Sequence, residues 1–243
     1  MRPSDSPRVP LCLIPARGGS KRVPRKNVAL LGDKPLLAWT IAPALASGLF
    51  AAVVVSSEDE EILAVAQRYG AEAVHRPAAL AGDNVTLRDV CTALLPELAA
   101  RTRATDLYLL TPTAPFRTAA TLRRAWHCYL EAKGSALVSV EPCPYPPQWT
   151  LTVRQGRLEP LFPAFYETPR PLLPSAFKHD GGHLITGIAR FCAEGNFWGN
   201  DARPFHGPEA ERLDIDLPED LAQARARVAA GLALADTETN RHG

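Results

Sequence analysis

Five cations, Arg17, Lys21, Arg22, Arg25 and Lys26, crowd around the adjacent pair Gly18-Gly19, in a stretch from Ser6 to Gly32 that holds no acidic residue. Adjacent glycines let backbone N–H groups approach a ligand and form an anion nest. Guanidinium and ammonium groups add charge-assisted donors suited to phosphate oxygens. The whole chain carries a net charge of only +1, so this concentration of charge is local. The chemistry such a loop suits is polyphosphate binding. The alternative is a solvated turn whose cations serve solubility. Against it, the turn follows directly on Leu11-Cys12-Leu13-Ile14, which reads as a buried strand, and α/β folds place phosphates at the first such turn. The loop matches neither G-x-G-x-x-G nor G-x-x-x-x-G-K-[ST], so dinucleotide and Walker-type readings lack support.

Asp214 and Asp216 form a second constellation. On a strand, alternate residues share a face, which would set the two carboxylates about 7 Å apart along the backbone. Paired oxygen ligands suit Mg²⁺, which retains waters and borrows phosphate oxygens. The alternative is that one of them caps a helix starting near Pro218, since Pro218-Glu219-Asp220 is a good helix opening. His179 and His183, four apart, read as polar lining rather than metal ligands. No serine or cysteine with a paired base stands out, which fits direct displacement rather than a covalent intermediate.

These residues must be carried by alternating strands and helices. Strand patterns fall at Ala52–Ser56, Ala71–His75, Leu107–Leu110, Ala136–Val140 and Gly182–Ile188. Helical patterns fall at Pro35–Ser47 (with Pro43 inside and Gly48 at its end), from a Ser57–Glu60 capping box to Tyr69, and at Thr86–Ala100, Thr118–Glu131 and Pro218–Ala230. This rhythm predicts an α/β fold with a doubly wound, mostly parallel sheet. Ligands then bind at the carboxyl ends of strands, where the glycine loop lies. Between Pro142 and Pro174 the chain is rich in proline and aromatic residues; a hairpin is expected there, Gln148–Val153 with Arg157–Pro160, on an arm that covers a second subunit.

The run Ile14-Pro15-Ala16-Arg17-Gly18-Gly19-Ser20-Lys21-Arg22-Val23-Pro24-Arg25-Lys26-Asn27 resembles the signature of the cytidylyltransferases that activate nine-carbon acidic sugars, the CMP-sialic acid synthetases and their pseudaminic and legionaminic relatives. Four further blocks resemble that family in order: Val54–Asp59, His75–Asp83, Leu110–Arg117 and Leu213–Asp220. The resemblance implies a nucleotide-diphospho-sugar transferase-like fold and a reaction that joins CTP to a sugar's anomeric hydroxyl with release of pyrophosphate, Mg²⁺ being the cofactor. It assigns nucleotide binding to Ala16, Arg17, Gly18, Gly19, Ser20, Lys21, Asn27, Arg76, Asp83 and Thr86, with Asn27 and Arg76 on the base and ribose side. Sugar binding falls to Thr111, Thr113, Arg170 and Asp180, metal binding to Asp214 and Asp216, and catalytic roles to Arg17, Lys21 and Asp216. Thr111-Pro112-Thr113-Ala114-Pro115-Phe116 and His179-Asp180-Gly181 resemble the pseudaminic branch. Arg170 stands where the family has a carboxylate-binding arginine, without the glutamines usual beside it, and Thr111 replaces a glutamine of the sialic acid enzymes. The rival enzyme reading is a CMP-3-deoxy-octulosonate synthetase or another sugar nucleotidyltransferase. Its loop, A-R-x-x-S-x-R-L-P-G-K, is missed here at Gly19 and Asn27. The rival of another class is a catalytically inactive nucleotide-binding protein.

Composition bounds the rest. At 243 residues and 46% apolar, the chain has material for one full domain, expected over 9–231 with the arm inserted at about 142–180 and flexible tails at 1–8 and 232–243. Near-zero net charge argues against coating nucleic acid or an anionic membrane. No apolar run nears the roughly 20 residues that span a bilayer, and Met1–Pro10 lacks a signal-peptide core. The five cysteines are scattered, as in reduced thiols. A cytoplasmic homodimer is expected.

Overall fold

The computed structural model describes residues 7–232; the expected tails beyond them lie outside the described residues. β1 (Pro10–Pro15) is followed by a small antiparallel ribbon of β2 (Leu30–Leu31) and β3 (Lys34–Pro35). Then come α1 (Leu36–Ser47), β4 (Val53–Ser57), α2 (Glu60–Arg68), β5 (Glu72–His75), α3 (Leu87–Thr102), β6 (Asp106–Leu109), α4 (Ala119–Glu131) and β7 (Leu137–Pro142). A hairpin of β8 (Leu151–Arg154) and β9 (Arg157–Pro160) stands apart from the main sheet. β10 (Phe177–Gly187), α5 (Ile188–Glu194), β11 (Arg203–Phe205) and α6 (Pro218–Ala229) complete the chain.

The main sheet runs β11-β7-β10-β6-β1-β4-β5. β1 is parallel to β4 and β6, β4 to β5, and β7 to β11, whereas β10 is antiparallel to both its neighbours. The chain lays β4 and β5 on one side of β1 and then returns to lay β6 on the other. That reversal makes the carboxyl ends of β1 and β6 the place where a crevice opens.

Successive strand side chains face opposite sides of a sheet. Cys12, Ile14, Val53, Val55 and Tyr108 therefore pack with Leu37 and Ile41 of α1, Ile62 of α2 and Leu122 of α4. The intervening Leu11, Leu13, Val54, Leu107 and Leu109 pack with Cys91, Leu95 and Leu98 of α3 and Phe191 of α5. Strands apolar on both faces are the cause of the doubly wound arrangement. A third cluster seats Leu221 and Ala224 of α6 on Leu31, Leu36, Trp39 and Phe116, and buries Ile215 with them.

Several elements differ from the sequence expectation. α2 is not opened by a Ser57–Glu60 capping box, because Ser57 stays extended in register with His75. Asp59 caps it instead, accepting from Glu61 and Ile62 N–H at 3.0 and 3.1 Å. α1, by contrast, runs as expected through Pro43 and ends at Gly48, which supplies the left-handed turn (φ 65°). β10 reaches back to Phe177, taking in residues expected in a loop, with a bulge between His179 and Leu184. The hairpin begins at Leu151, since Pro147–Trp149 forms a 3₁₀ turn. Arg8, within the stretch expected as a tail, donates to Asp106 and Tyr129 at 2.6 and 2.8 Å. All five cysteines are free thiols. Among the described residues no helix is long and apolar enough to cross a membrane.

Candidate active site

A cleft of about 490 Å³ opens where the chain leaves β1 and β6, as the topology requires. Its walls carry Arg17, Ser20, Lys21, Asn27, Arg76, Asp83, Thr86, Thr111, Thr113 and Asp216, residues drawn from four separate sequence blocks. Ala16, Gly18 and Gly19 form the turn that carries Arg17 and Ser20 rather than lining the surface. Arg170, Asp180 and Asp214 are likewise not among the lining residues.

The glycine turn is shaped by its neighbours. Ala16 N–H extends the β1–β4 ladder by donating to Ser56 O at 2.9 Å, and Ser20 N–H donates to Gly18 O at 2.9 Å. Gly18 N–H donates to Glu58 Oε1 at 2.7 Å, so this amide is already engaged and the expected nest lacks it. A Cβ on Gly18 would lie 2.6 Å from Asp59 Oδ2, which explains a glycine there without any positive φ. The Asn27 amide is buried and donates to Arg17 O at 2.8 Å, holding the turn from the other side.

The loop has no acid in sequence, yet the fold surrounds it with carboxylates. Arg17 and Lys21 reach Asp83 at 3.2 and 2.5 Å. Arg22 and Lys26 reach Asp216 at 3.6 and 3.3 Å, and Lys26 also donates to Ile215 O at 2.6 Å. Arg25, in the left-handed region (φ 56°), turns away to pair with Asp59 and Glu61. The hydrogen bond from Lys21, with Arg17 beside it, holds the Asp83 carboxyl below its usual range. Four of the five cations therefore face the cleft, and their charge is partly offset before any ligand enters.

Arg76 and Thr86 are held differently. Arg76 is 3% exposed and donates to Glu58 Oε2 through Nη2 at 3.0 Å and Nε at 3.2 Å. Thr86 caps α3 in a reciprocal box with Asp89, which places the positive end of this 16-residue helix at the cleft.

The expected carboxylate pair is corrected by the structure. Residues 212–217 form no strand, because their backbone finds no neighbouring strand; Ile215 N–H to Thr113 O at 2.8 Å anchors them instead. Asp216 faces the cleft, while Asp214 lies against Gly181 of β10, where a Cβ would come 3.2 Å from its Oδ2. Neither caps α6. Asp220 does, accepting from Asp216 and Leu217 N–H at 2.9 and 2.7 Å. Among the described residues no cluster of three or more His, Cys, Asp or Glu has the geometry of a complete protein-made metal cage. The Asp216 carboxylate, facing the cleft, still suits Mg²⁺, which takes one or two protein ligands and fills its shell with water and phosphate.

Thr111, on the cleft wall, is held from behind by Arg117, which the sequence left without a role. Its guanidinium is buried and donates to Gly182 O at 2.6 Å, Gly181 O at 3.2 Å, Thr40 Oγ1 at 3.0 Å and Thr111 O. Burial lowers it to about 10. It ties the β10 bulge to the end of β6, and Thr111 Oγ1 completes the tie by donating to Gly181 O at 2.9 Å. Thr113 Oγ1 then donates to Thr111 Oγ1 at 3.2 Å. Asp180 is occupied in the bulge, accepting from Gly182 N–H at 2.8 Å and from Ser139 Oγ. Arg170 is exposed and lines a separate cavity of about 300 Å³ with Pro142, Cys143 and Phe177. Glu58 and Arg117, to which the sequence assigned no role, act through contacts between segments; for Glu58 the available signal was its place in the turn just after β4.

Known proteins supply the comparison. The sequence matches the family described as Cytidylyltransferase over residues 11–155. It is 33% identical over 218 residues to a pseudaminic acid cytidylyltransferase of Campylobacter jejuni, covering 88% of this chain and 94% of that one. It is 34% identical over 224 residues to a CMP-N,N'-diacetyllegionaminic acid synthase of Legionella pneumophila, covering 87% and 93%. An N-acylneuraminate cytidylyltransferase of Escherichia coli is 39% identical over 208 residues, 85% of this chain but 49% of that protein. Among solved structures, a CMP:2-keto-3-deoxy-manno-octonic acid synthetase complexed with CTP superposes with a TM-score of 0.66 at 18% identity, covering 92% of this chain and 99% of that one, a likeness of fold. With a matched signature that includes the glycine loop and full-length relatives above 30% identity, the chain belongs to the cytidylyltransferase family.

Proposed function

We propose that this protein transfers a cytidylyl group from CTP to the anomeric hydroxyl of an acidic nine-carbon sugar of the pseudaminic, legionaminic or sialic type. The sugar oxygen forms a bond to the α-phosphorus, the bond from that phosphorus to the β-phosphate bridging oxygen breaks, and pyrophosphate leaves while the hydroxyl proton passes to solvent. The observation that carries the reading is the meeting, in one cleft, of the cationic glycine loop and Asp216. Similarity to the pseudaminic and legionaminic enzymes supports the sugar class.

In this reading Arg17, Ser20 and Lys21 hold the triphosphate, and they exchange Asp83 for phosphate oxygens as it enters. Asn27, Arg76, Asp83 and Thr86 border the nucleoside, and Thr111 and Thr113 face the acceptor. Asp216 is the ligand that Mg²⁺ would use; when bound, the ion neutralises charge on the triphosphate and on departing pyrophosphate. Asp214, exposed beside Gly181, would be the second protein ligand. Arg170 and Asp180 reach the sugar only if the arm or a second subunit brings them to it. The exposed Val153 and Leu158 of the hairpin, with Phe162 and Phe165 after it, support a homodimer through the arm.

The test is pyrophosphate release from CTP with sialic, pseudaminic, legionaminic and 3-deoxy-octulosonic acids in turn, with product mass read out. Release with a nine-carbon acid that disappears in Asp216→Ala is expected. A rise in Tm with CTP but no release with any acceptor would sink the enzyme reading in favour of a binding protein.

A further inference from the structure

Glu58 belongs to the turn between β4 and α2 and is not part of the cleft surface, yet its one carboxylate touches two nucleotide-side elements. Oε1 accepts Gly18 N–H at 2.7 Å, and Oε2 accepts Arg76 Nη2 at 3.0 Å and Nε at 3.2 Å. Both partners are constrained. Gly18 begins the Gly-Gly turn that presents Ser20 and Lys21, and Arg76 is buried to 3% exposure while its remaining edge lines the cleft.

An anion so close to a triphosphate site opposes the ligand unless it is neutralised. Here the buried arginine neutralises it with two charge-assisted donors, Nε and Nη2, that converge on Oε2 and leave Oε1 to Gly18. Burial by itself would raise the Glu58 carboxyl. The N–H of Gly18, its own backbone N–H and Arg76 together hold it below the usual range, so it is ionised at neutral pH.

We propose that Glu58 is a positioning residue for nucleotide binding: its carboxylate presets the glycine turn through Gly18 and orients Arg76, coupling the phosphate and base ends of the cleft. This rests on the CTP reading above. A carboxylate that merely braced the β4–α2 turn would contribute to folding and leave nucleotide affinity alone.

The experiment measures Kd for CTP by calorimetry, KM for CTP and for the sugar acid separately, and Tm, in the wild type, Glu58→Gln, Glu58→Ala, Arg76→Ala and the Glu58→Ala/Arg76→Ala double variant. Expected for Glu58→Ala is a rise of about tenfold or more in Kd and KM for CTP, the scale of a lost charge-assisted hydrogen bond, with the KM for the sugar unchanged. Glu58→Gln, whose amide oxygen can still accept Gly18 N–H, should lie between Glu58→Ala and wild type. The double variant should lose less than the product of the two single losses, as coupled residues do. Wild-type CTP affinity in either Glu58 variant, or equal rises in both KM values, overturns the proposal. Should Glu58→Ala not fold, Glu58→Gln decides alone: unchanged CTP affinity refutes it, and a selective rise upholds it. Titration of the wild type with CTP, UTP and ATP tests the nucleotide separately. A preference for another nucleotide would overturn the CTP reading and move the same comparison to that nucleotide.

Discussion

Asp216 Oδ1 lies 3.3 Å from the Lys26 ammonium although 190 positions separate the two residues in the chain. Lys26 also holds Ile215 O, and Ile215 is fully buried beneath α6. The glycine loop is thereby fastened to the segment that delivers the only cleft-lining carboxylate besides Asp83 among the described residues. Asp216→Asn should cut kcat by about a hundredfold or more, as loss of a preorganised charge at the reacting phosphate does. Its Tm should barely move, since the side chain is half exposed. A variant with near wild-type kcat across a magnesium titration would remove Asp216 from the chemistry.

Asp83 occupies Arg17 and Lys21 where phosphate is expected. If it competes with the ligand, Asp83→Asn should tighten CTP binding a few-fold at low ionic strength, with the gain fading as salt screens the charges. Calorimetric titration at two salt concentrations reads this directly. Weaker binding in Asp83→Asn would mean that the carboxylate contacts the nucleotide instead.

His183 is fully buried, with Nδ1 2.7 Å from Tyr108 Oη. Burial first, then the nearby Arg117, Arg124 and His179, push it well below its ordinary 6.5. The unfolded chain therefore binds a proton below 6.5 that the folded chain refuses. Stability should fall on acidification from 6.5, with a slope of up to about 1.4 kcal/mol per pH unit from this group. His183→Asn should flatten that slope in urea unfolding between about pH 5 and 6.5. An unchanged slope would place the titration elsewhere.

Val153 and Leu158 stand 67% and 68% exposed on opposite strands of the β8–β9 hairpin. A dimer through the arm would cover them. Light scattering should then report twice the 26.3 kDa chain for the wild type and a monomer for Val153→Lys/Leu158→Glu. A variant that stays dimeric would put the interface on another face.

Much of the fold could be read from residue order. Leu11–Ile14, Val53–Val55 and Leu107–Leu110 are continuous apolar runs because each strand is covered on both faces, and that pattern survives without any knowledge of partners. The glycine loop, the Thr86 helix start and the Leu213–Asp220 block were visible for the same reason: each is a local pattern of a few adjacent residues. β10 was read only in its apolar half, since Phe177–Gly181 is largely exposed and carries no alternation.

What residue order determined, then, was which segments become buried strands and where a polyanion could be met. Tertiary structure alone decided the electrostatics. It brought Asp83, Asp59, Glu61 and Asp216 to a loop that has no acidic neighbour in sequence, and placed Glu58 between Gly18 and Arg76. It also gave Asp214 and Asp216, two residues apart, different neighbours: Gly181 for the first, Arg22 and Lys26 for the second. Coulomb and hydrogen-bond energies depend on distance in space, and only the folded chain sets that distance.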